Sequence, residues 1–155
     1  MSRWQNFSVW RGRLPHWRAD DVTYYVTFRH RRDLDAGERS LLMRALLAPE
    51  GRKWDLLILL VLPGETELMF RVREGTDGRP HELSAIIERA KAKVGRQVIK
   101  KTDERWPPFY DESYDRIVRD DAELEERWLA ILDAPVKHEL CEDPEDWDGL
   151  WVAER

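Results

Sequence analysis

The strongest constraint on the fold is the run Leu56 to Leu62, seven consecutive apolar residues closed by Pro63-Gly64. It is far short of the roughly 20 residues a membrane span needs. With Trp54 at its start it reads as a buried strand, Trp54 to Leu62. Pro63-Gly64 is a turn signal. Glu65 to Arg73 then alternates polar and apolar residues, which makes it the partner strand of a hairpin.

The flanking segments alternate between strand and helix patterns. Val22 to Arg29 is rich in β-branched and aromatic residues and reads as a strand. Asp33 or Asp35 can cap a helix running to about Leu47, with Leu34, Leu41, Leu42, Ala45 and Leu46 as its apolar stripe. Pro49 and Gly51 end it, and Gly75 to Pro80 is a loop. A long helix is expected from about Glu82 to Lys101, with Leu83, Ile86, Ile87, Ala90 and Val94 at helical spacing. Trp106-Pro107-Pro108 breaks it. Ser113 to Arg119 fits a fourth strand, and Asp120 or Asp121 caps a helix through Leu132 that Pro135 stops. The order β-α-β-β-α-β-α predicts a ferredoxin-like α+β sandwich, an antiparallel sheet with helices packed on it. No linker or repeat divides the 155 residues, so 1–155 is expected to be one domain, with a basic extended arm at 1–20 and an acidic tail at 139–155.

Charged residues make up 37% and hydrophobic ones 42%, which excludes a disordered chain. Met1 to Trp10 holds no signal-peptide core, so the expected location is the cytoplasm. The single cysteine, Cys141, rules out an internal disulfide and a cysteine zinc site. Its neighbours Glu139, Glu142 and Asp143 argue against a reactive thiol. The net charge of −5 hides an asymmetry. Residues 1–105 hold 21 Lys/Arg against 15 Asp/Glu, whereas residues 106–155 hold 5 against 16. The first part suits a polyanion and the last repels one.

Several stretches together resemble the REP-associated tyrosine transposases, a family of single-tyrosine HUH transposases. Arg13-Leu14-Pro15-His16-Trp17 followed by Thr23 to Arg29 is similar to the family's opening signature and first strand. Val61-Leu62-Pro63 stands where the family's second strand ends. Phe109-Tyr110-Asp111 and Tyr114 to Arg119 resemble the segment before the catalytic helix, and Ala134-Pro135-Val136-Lys137 resembles the Asn-Pro-Val-Lys that follows it. The matches run in family order over roughly residues 11–148. The resemblance implies a transposase-like DNA-binding protein that recognises hairpin or single-stranded DNA, with roles in DNA transposition and recombination.

The departures fall on the chemistry. In the family, two histidines on one strand face bind a divalent metal; Glu65 and Glu67 occupy those positions here. The nucleophilic tyrosine's position, five residues before Pro135, is Ala130, and no tyrosine follows Tyr114. A covalent phosphotyrosine intermediate needs that hydroxyl, so the expected protein is catalytically inactive and needs no cofactor. Glu65 and Glu67 lie two apart on a strand and so share a face. They are weak candidates for a divalent metal, with Asp111, Glu112 and Asp115 as possible further ligands. That leaves open a metal-dependent nuclease. A protein-interaction module meeting a basic partner through the acidic tail is a third reading.

The candidate DNA contacts are Arg11, Arg13, His16, Trp17, Arg18, Arg29, Arg31 and Arg32 in and after the arm, and Lys91, Lys93, Arg96 and Lys100 on the long helix, which also carries Arg89 and Lys101. Basic residues interleaved with Trp10 and Trp17 suit unpaired bases and their phosphates. Trp54 and Trp128 read as core. His30, His81 and His138 show no ligand spacing. The acidic tail, anchored by Trp147 and Trp151, either folds back over the basic face or docks for stability alone.

Overall fold

A computed structural model describes residues 4–11 and 15–154, with the side chains of Arg11 and Pro15 outside the description. Strands β1 (Ser8–Arg11) and β2 (Pro15–Arg18) form a hairpin of their own. They are followed by β3 (Tyr24–Arg29), α1 (Ala36–Leu47), β4 (Trp54–Val61), β5 (Glu65–Val72), α2 (Leu83–Thr102), β6 (Tyr114–Ile117), α3 (Asp121–Lys137), a 3-10 turn (Pro144–Asp146) and β7 (Leu150–Val152). The main sheet is antiparallel, in the order β6-β3-β5-β4-β7. This is the expected α+β sandwich with one additional edge strand.

Local chemistry sets the helix starts. The Asp35 carboxylate accepts from the Glu38 backbone N–H at 2.8 Å while the Glu38 carboxylate accepts from the Asp35 N–H at 3.0 Å, a reciprocal cap. Asp120 caps α3 through the Glu123 N–H at 2.8 Å. Pro135 does not stop α3, contrary to expectation; it lies inside the helix, which continues to Lys137. A proline forfeits one backbone hydrogen bond. Ile131, Ala134 and Pro135 are buried, the first two against the sheet, and His138 and Leu140 close the end by donating to Ala134 and Pro135 carbonyls.

The sheet is covered on both faces. Leu42 and Leu46 of α1 and Ile87 and Val94 of α2 meet Val26, Phe28, Leu59, Leu68 and Phe70 on one face. Ile131 and Ala134 of α3 meet Tyr25, Ile58, Leu60 and Met69 on the other. A bulge between Leu56 and Ile58 explains why β4 shows no simple alternation. Before it, Trp54 and Leu56 face α1 and α2; after it, Leu59 and Val61 do. One extra residue thus reverses the strand's parity. Trp54 is fully buried and Trp128 packs at the margin of the α3 cluster.

The N-terminal arm departs from expectation, and the tail takes one of its two expected positions. The arm is no loose extension: Trp4, Phe7 and Trp17 stack with ring centroids 5.4 and 5.3 Å apart and pack against the core, and β2 lies along β6. A hairpin whose apolar side chains are unevenly spaced gives no clear period, which is why sequence reading missed it. The acidic tail forms β7 on β4. Trp147 donates its indole N–H to the Val61 carbonyl at 3.0 Å, and Val61 donates its backbone N–H to Gly149 at 2.7 Å. The tail therefore docks at the edge of the sheet farthest from β6, not over the basic face.

Candidate nucleic-acid interface

On the sheet face carrying α3, side chains come from alternate positions of three strands. The register pairs Thr27 with Glu67 and Tyr114, Arg29 with Glu65, and Tyr25 with Met69 and Arg116. Residues directly opposite one another point to the same face. Helix α3 lies over β4 and β5 and reaches Tyr25 of β3 through Arg127, while Thr27 and Arg29 of β3 and Tyr114 of β6 border an open cleft.

Beneath α3 lies a cleft of ≈ 210 Å³ lined by Glu65, Glu67, Tyr25, Arg127, Ala130, Lys137 and His138, among others. The three positions singled out by sequence, Glu65, Glu67 and Ala130, are thus brought together. Tyr25 Oη donates to Glu67 Oε1 at 3.0 Å, and the Arg127 guanidinium sits 4.5 Å from the Tyr25 ring centre. Burial, reinforced by Glu65 beside it, holds the Glu67 carboxyl above the usual range. Burial and Glu67 likewise push the Tyr25 phenol up.

This donor set does not fit a divalent ion. Two carboxylates and His138 face the cleft, burial raises the Glu67 pKa, and the cations Arg127 and Lys137 line it too. Asp115 pairs with Val26 in register and so points to the other face of the sheet. Asp111 and Glu112 line a separate cleft. Among the described residues no group of three His, Cys, Asp or Glu side chains is placed to hold a metal.

The open half of the face forms a larger cleft, ≈ 520 Å³, lined by Thr27, Phe28, Arg29, Arg31, Tyr110, Asp111, Glu112 and Tyr114. Several arginines hold their guanidinium carbons near the centres of aromatic rings. Arg31 is 4.8 Å from the Tyr110 ring centre, Arg116 is 4.8 Å from that of Tyr114, and Arg18 is 4.4 Å from that of Trp10. Arg105 similarly lies 5.3 Å from Trp106. Trp10, Tyr110 and Trp106 are 44%, 44% and 61% exposed, unusual for rings of this size. Guanidinium planes and exposed rings are surfaces on which unpaired bases stack. Sequence reading did not place Arg105, Trp106, Tyr110, Tyr114 or Arg116 here. Their signal was aromatic and arginine residues recurring within a few positions from Arg105 to Arg116.

The basic residues expected to touch nucleic acid divide sharply. Arg29, Arg31, Lys93, Arg96 and Lys100 are exposed. His16 is buried, its Nδ1 2.7 Å from Asp115 and its Nε2 2.5 Å from Glu112. Arg18 is buried between Asp115, at 2.8 Å, and Glu82, at 2.7 Å. Lys91 is buried against Phe28 and bonded to Glu88 at 3.1 Å, and burial lowers its pKa. Arg32 is clamped between Glu38 and Glu104. The fold already pairs these four with carboxylates. Trp17 is half-buried, stacked on Phe7 and under Arg116 at 5.0 Å. Arg13 and the side chain of Arg11 lie outside the described residues. The Cys141 thiol is pushed up by desolvation and by Asp146 and Asp143.

No protein-family model and no curated protein matches the sequence. Among solved structures, the fold is similar to that of a REP-associated tyrosine transposase bound to a REP hairpin, with a TM-score of 0.67 and 16% identity over 90% of this chain and 82% of that one. A protein from Deinococcus radiodurans R1 described as a transposase superposes with a TM-score of 0.47 and 14% identity over 77% of this chain and 94% of that one. The chain thus has a transposase-like fold. No helix among the described residues is long and apolar enough to cross a membrane.

Proposed function

We propose that this protein binds DNA, seating an unpaired segment on the open face of its sheet, and that it carries out no tyrosine-dependent strand transfer. The observation that carries the reading is the ≈ 520 Å³ cleft in which Arg29, Arg31, Tyr110 and Tyr114 converge. Arginine supplies the phosphate contact and a stacking plane; the tyrosines supply rings. The hairpin bound by the structurally similar transposase supports DNA as the ligand class. The chemical half of the reading rests on the neighbouring cleft, where Ala130 presents a methyl group at the position the resemblance assigns to the nucleophile.

The test is anisotropy titration with a hairpin carrying an unpaired flank, beside the same hairpin cut blunt. The flanked hairpin is expected to bind more tightly, and Tyr110→Ala to reduce its affinity by about 5- to 150-fold, the loss of about 1–3 kcal/mol of stacking on one base. Equal affinity for both hairpins, or an unaffected variant, overturns the reading.

A further inference from the structure

The opposite layer of the molecule carries a second basic surface with a different character. A groove of ≈ 290 Å³ between α1 and α2 is lined by Arg52, Lys53, Arg89 and Lys93, with no carboxylate among its lining residues. Arg89 and Lys93 continue along α2 as Arg96 and Lys100. The spacing of four, three and four residues puts all four on one stripe of the helix. At 1.5 Å per residue that stripe is about 16 Å long, about five base pairs of rise along a duplex axis at 3.4 Å per pair.

Two observations characterise these cations. Arg18, Arg32, Arg39, Arg73, Arg119, Arg127 and Lys91 all have carboxylate partners. None of the six on the stripe and groove has an ion-pair partner among the described residues. The groove floor, formed by residues such as Ala45, Ala48 and Ala90, has no aromatic side chain. With no aromatic ring on its floor, the groove offers charge rather than a ring platform, which suits a phosphate backbone. The negative end of α1 also lies here, and Arg52 offsets it by donating to the Ala48 carbonyl at 2.9 Å.

We propose that the α1–α2 groove forms a second site that binds the phosphate backbone of duplex nucleic acid, while Arg96 farther along the stripe borders the cleft that holds Tyr110. This rests on the reading that the protein binds nucleic acid, and extends it to two segments on two layers.

The experiment titrates the full chain with a blunt duplex and with a single strand across a salt series. Substituting Arg52, Lys53, Arg89 and Lys93 together by alanine is expected to lower the slope of log K against log salt for the duplex by about 3 to 4, leaving single-strand affinity within about twofold. Tyr110→Ala is expected to do the reverse. Should the fourfold variant lose its native circular dichroism, Arg89→Gln with Lys93→Gln gives the same test at about half the slope change. Single-strand binding with an unchanged duplex slope overturns this proposal alone. Binding of neither nucleic acid by the unaltered protein overturns both readings. A groove that binds anionic vesicles and ignores duplex overturns this one in favour of a lipid surface.

Discussion

Asp115 Oδ2 lies 2.7 Å from His16 Nδ1, across a sequence separation of 99 residues. The same buried carboxylate accepts the Trp17 backbone N–H at 2.9 Å and Arg18 Nη1 at 2.8 Å. With Glu112 on the other ring nitrogen, His16 fastens the N-terminal hairpin to β6 and its approach.

This lock titrates. Burial pulls the His16 pKa down, but its hydrogen bonds to Asp115 and Glu112 and their charges outweigh it, and the net shift is upward from 6.5. A histidine whose folded pKa is raised contributes stability that is full below the unfolded value and fades as pH rises through the folded one. Hairpin docking should therefore weaken as pH is raised above about 6.5. Hydrogen exchange over residues 16–18 reads it, and His16→Gln should flatten the response. Equal protection at all pH values from 6 to 9 would show that the imidazole charge is not what holds the hairpin.

His30 behaves in the opposite sense. It is buried, its Nδ1 2.7 Å from the Pro63 carbonyl and its Nε2 2.8 Å from Thr66 Oγ1, and burial lowers its pKa to about 4. Donation from Nδ1 leaves Nε2 to accept from the threonine, which requires the neutral ring. A lowered folded pKa makes stability full above the unfolded value and lost as pH falls from 6.5 towards 4, by up to about 3 kcal/mol. Urea unfolding midpoints should drop over that interval, and His30→Gln should shrink the drop. A variant with an unaltered acid profile would exclude His30 as its source.

Gly149→Ala should detach β7. A Cβ at this position would lie 2.1 Å from the Val61 carbonyl oxygen and 2.7 Å from the Trp147 indole nitrogen. The strand must shift and its bonds to β4 suffer, at a cost of about 1–3 kcal/mol. Exchange protection at residues 150–152 and Trp147 emission report it. Wild-type protection in the variant would mean the edge has more room than the geometry allows.

No covalent protein–DNA adduct should form on any single-stranded substrate. Ala130 has no nucleophilic atom, and Tyr25, the tyrosine lining the cleft with it, donates its proton to Glu67 and is held above the usual phenol range. Denaturing gels of labelled DNA with magnesium or manganese provide the check. A single resistant band abolished by Tyr25→Phe would reinstate strand-transfer chemistry.

The central hairpin and both long helices were legible because their signals are local: an apolar run, a turn dipeptide, a capping aspartate, a 3.6-residue stripe. The Glu65/Glu67/Ala130 convergence was legible only through the family resemblance, since α3 and β5 are far apart in the chain. What escaped depends on contacts that no local pattern encodes. Arg18 and Arg29 are alike in sequence, yet Asp115 buries one and the sheet face exposes the other. Pro135 looked like a stop because its burial is a tertiary fact. The tail's acids masked Leu150, Trp151 and Val152, three residues too few to signal a strand.

The place of β7 has a consequence for how the chain must be made. It covers the outer edge of β4, the most apolar strand, yet follows it by about ninety residues. At about 5–20 residues per second, that edge waits about 5–20 s on the ribosome for its last neighbour. For that interval a row of unpaired backbone groups beside Leu56 to Leu62 is open to any passing strand. Once made, β7 pairs with Ile58 to Leu60 and removes that open edge.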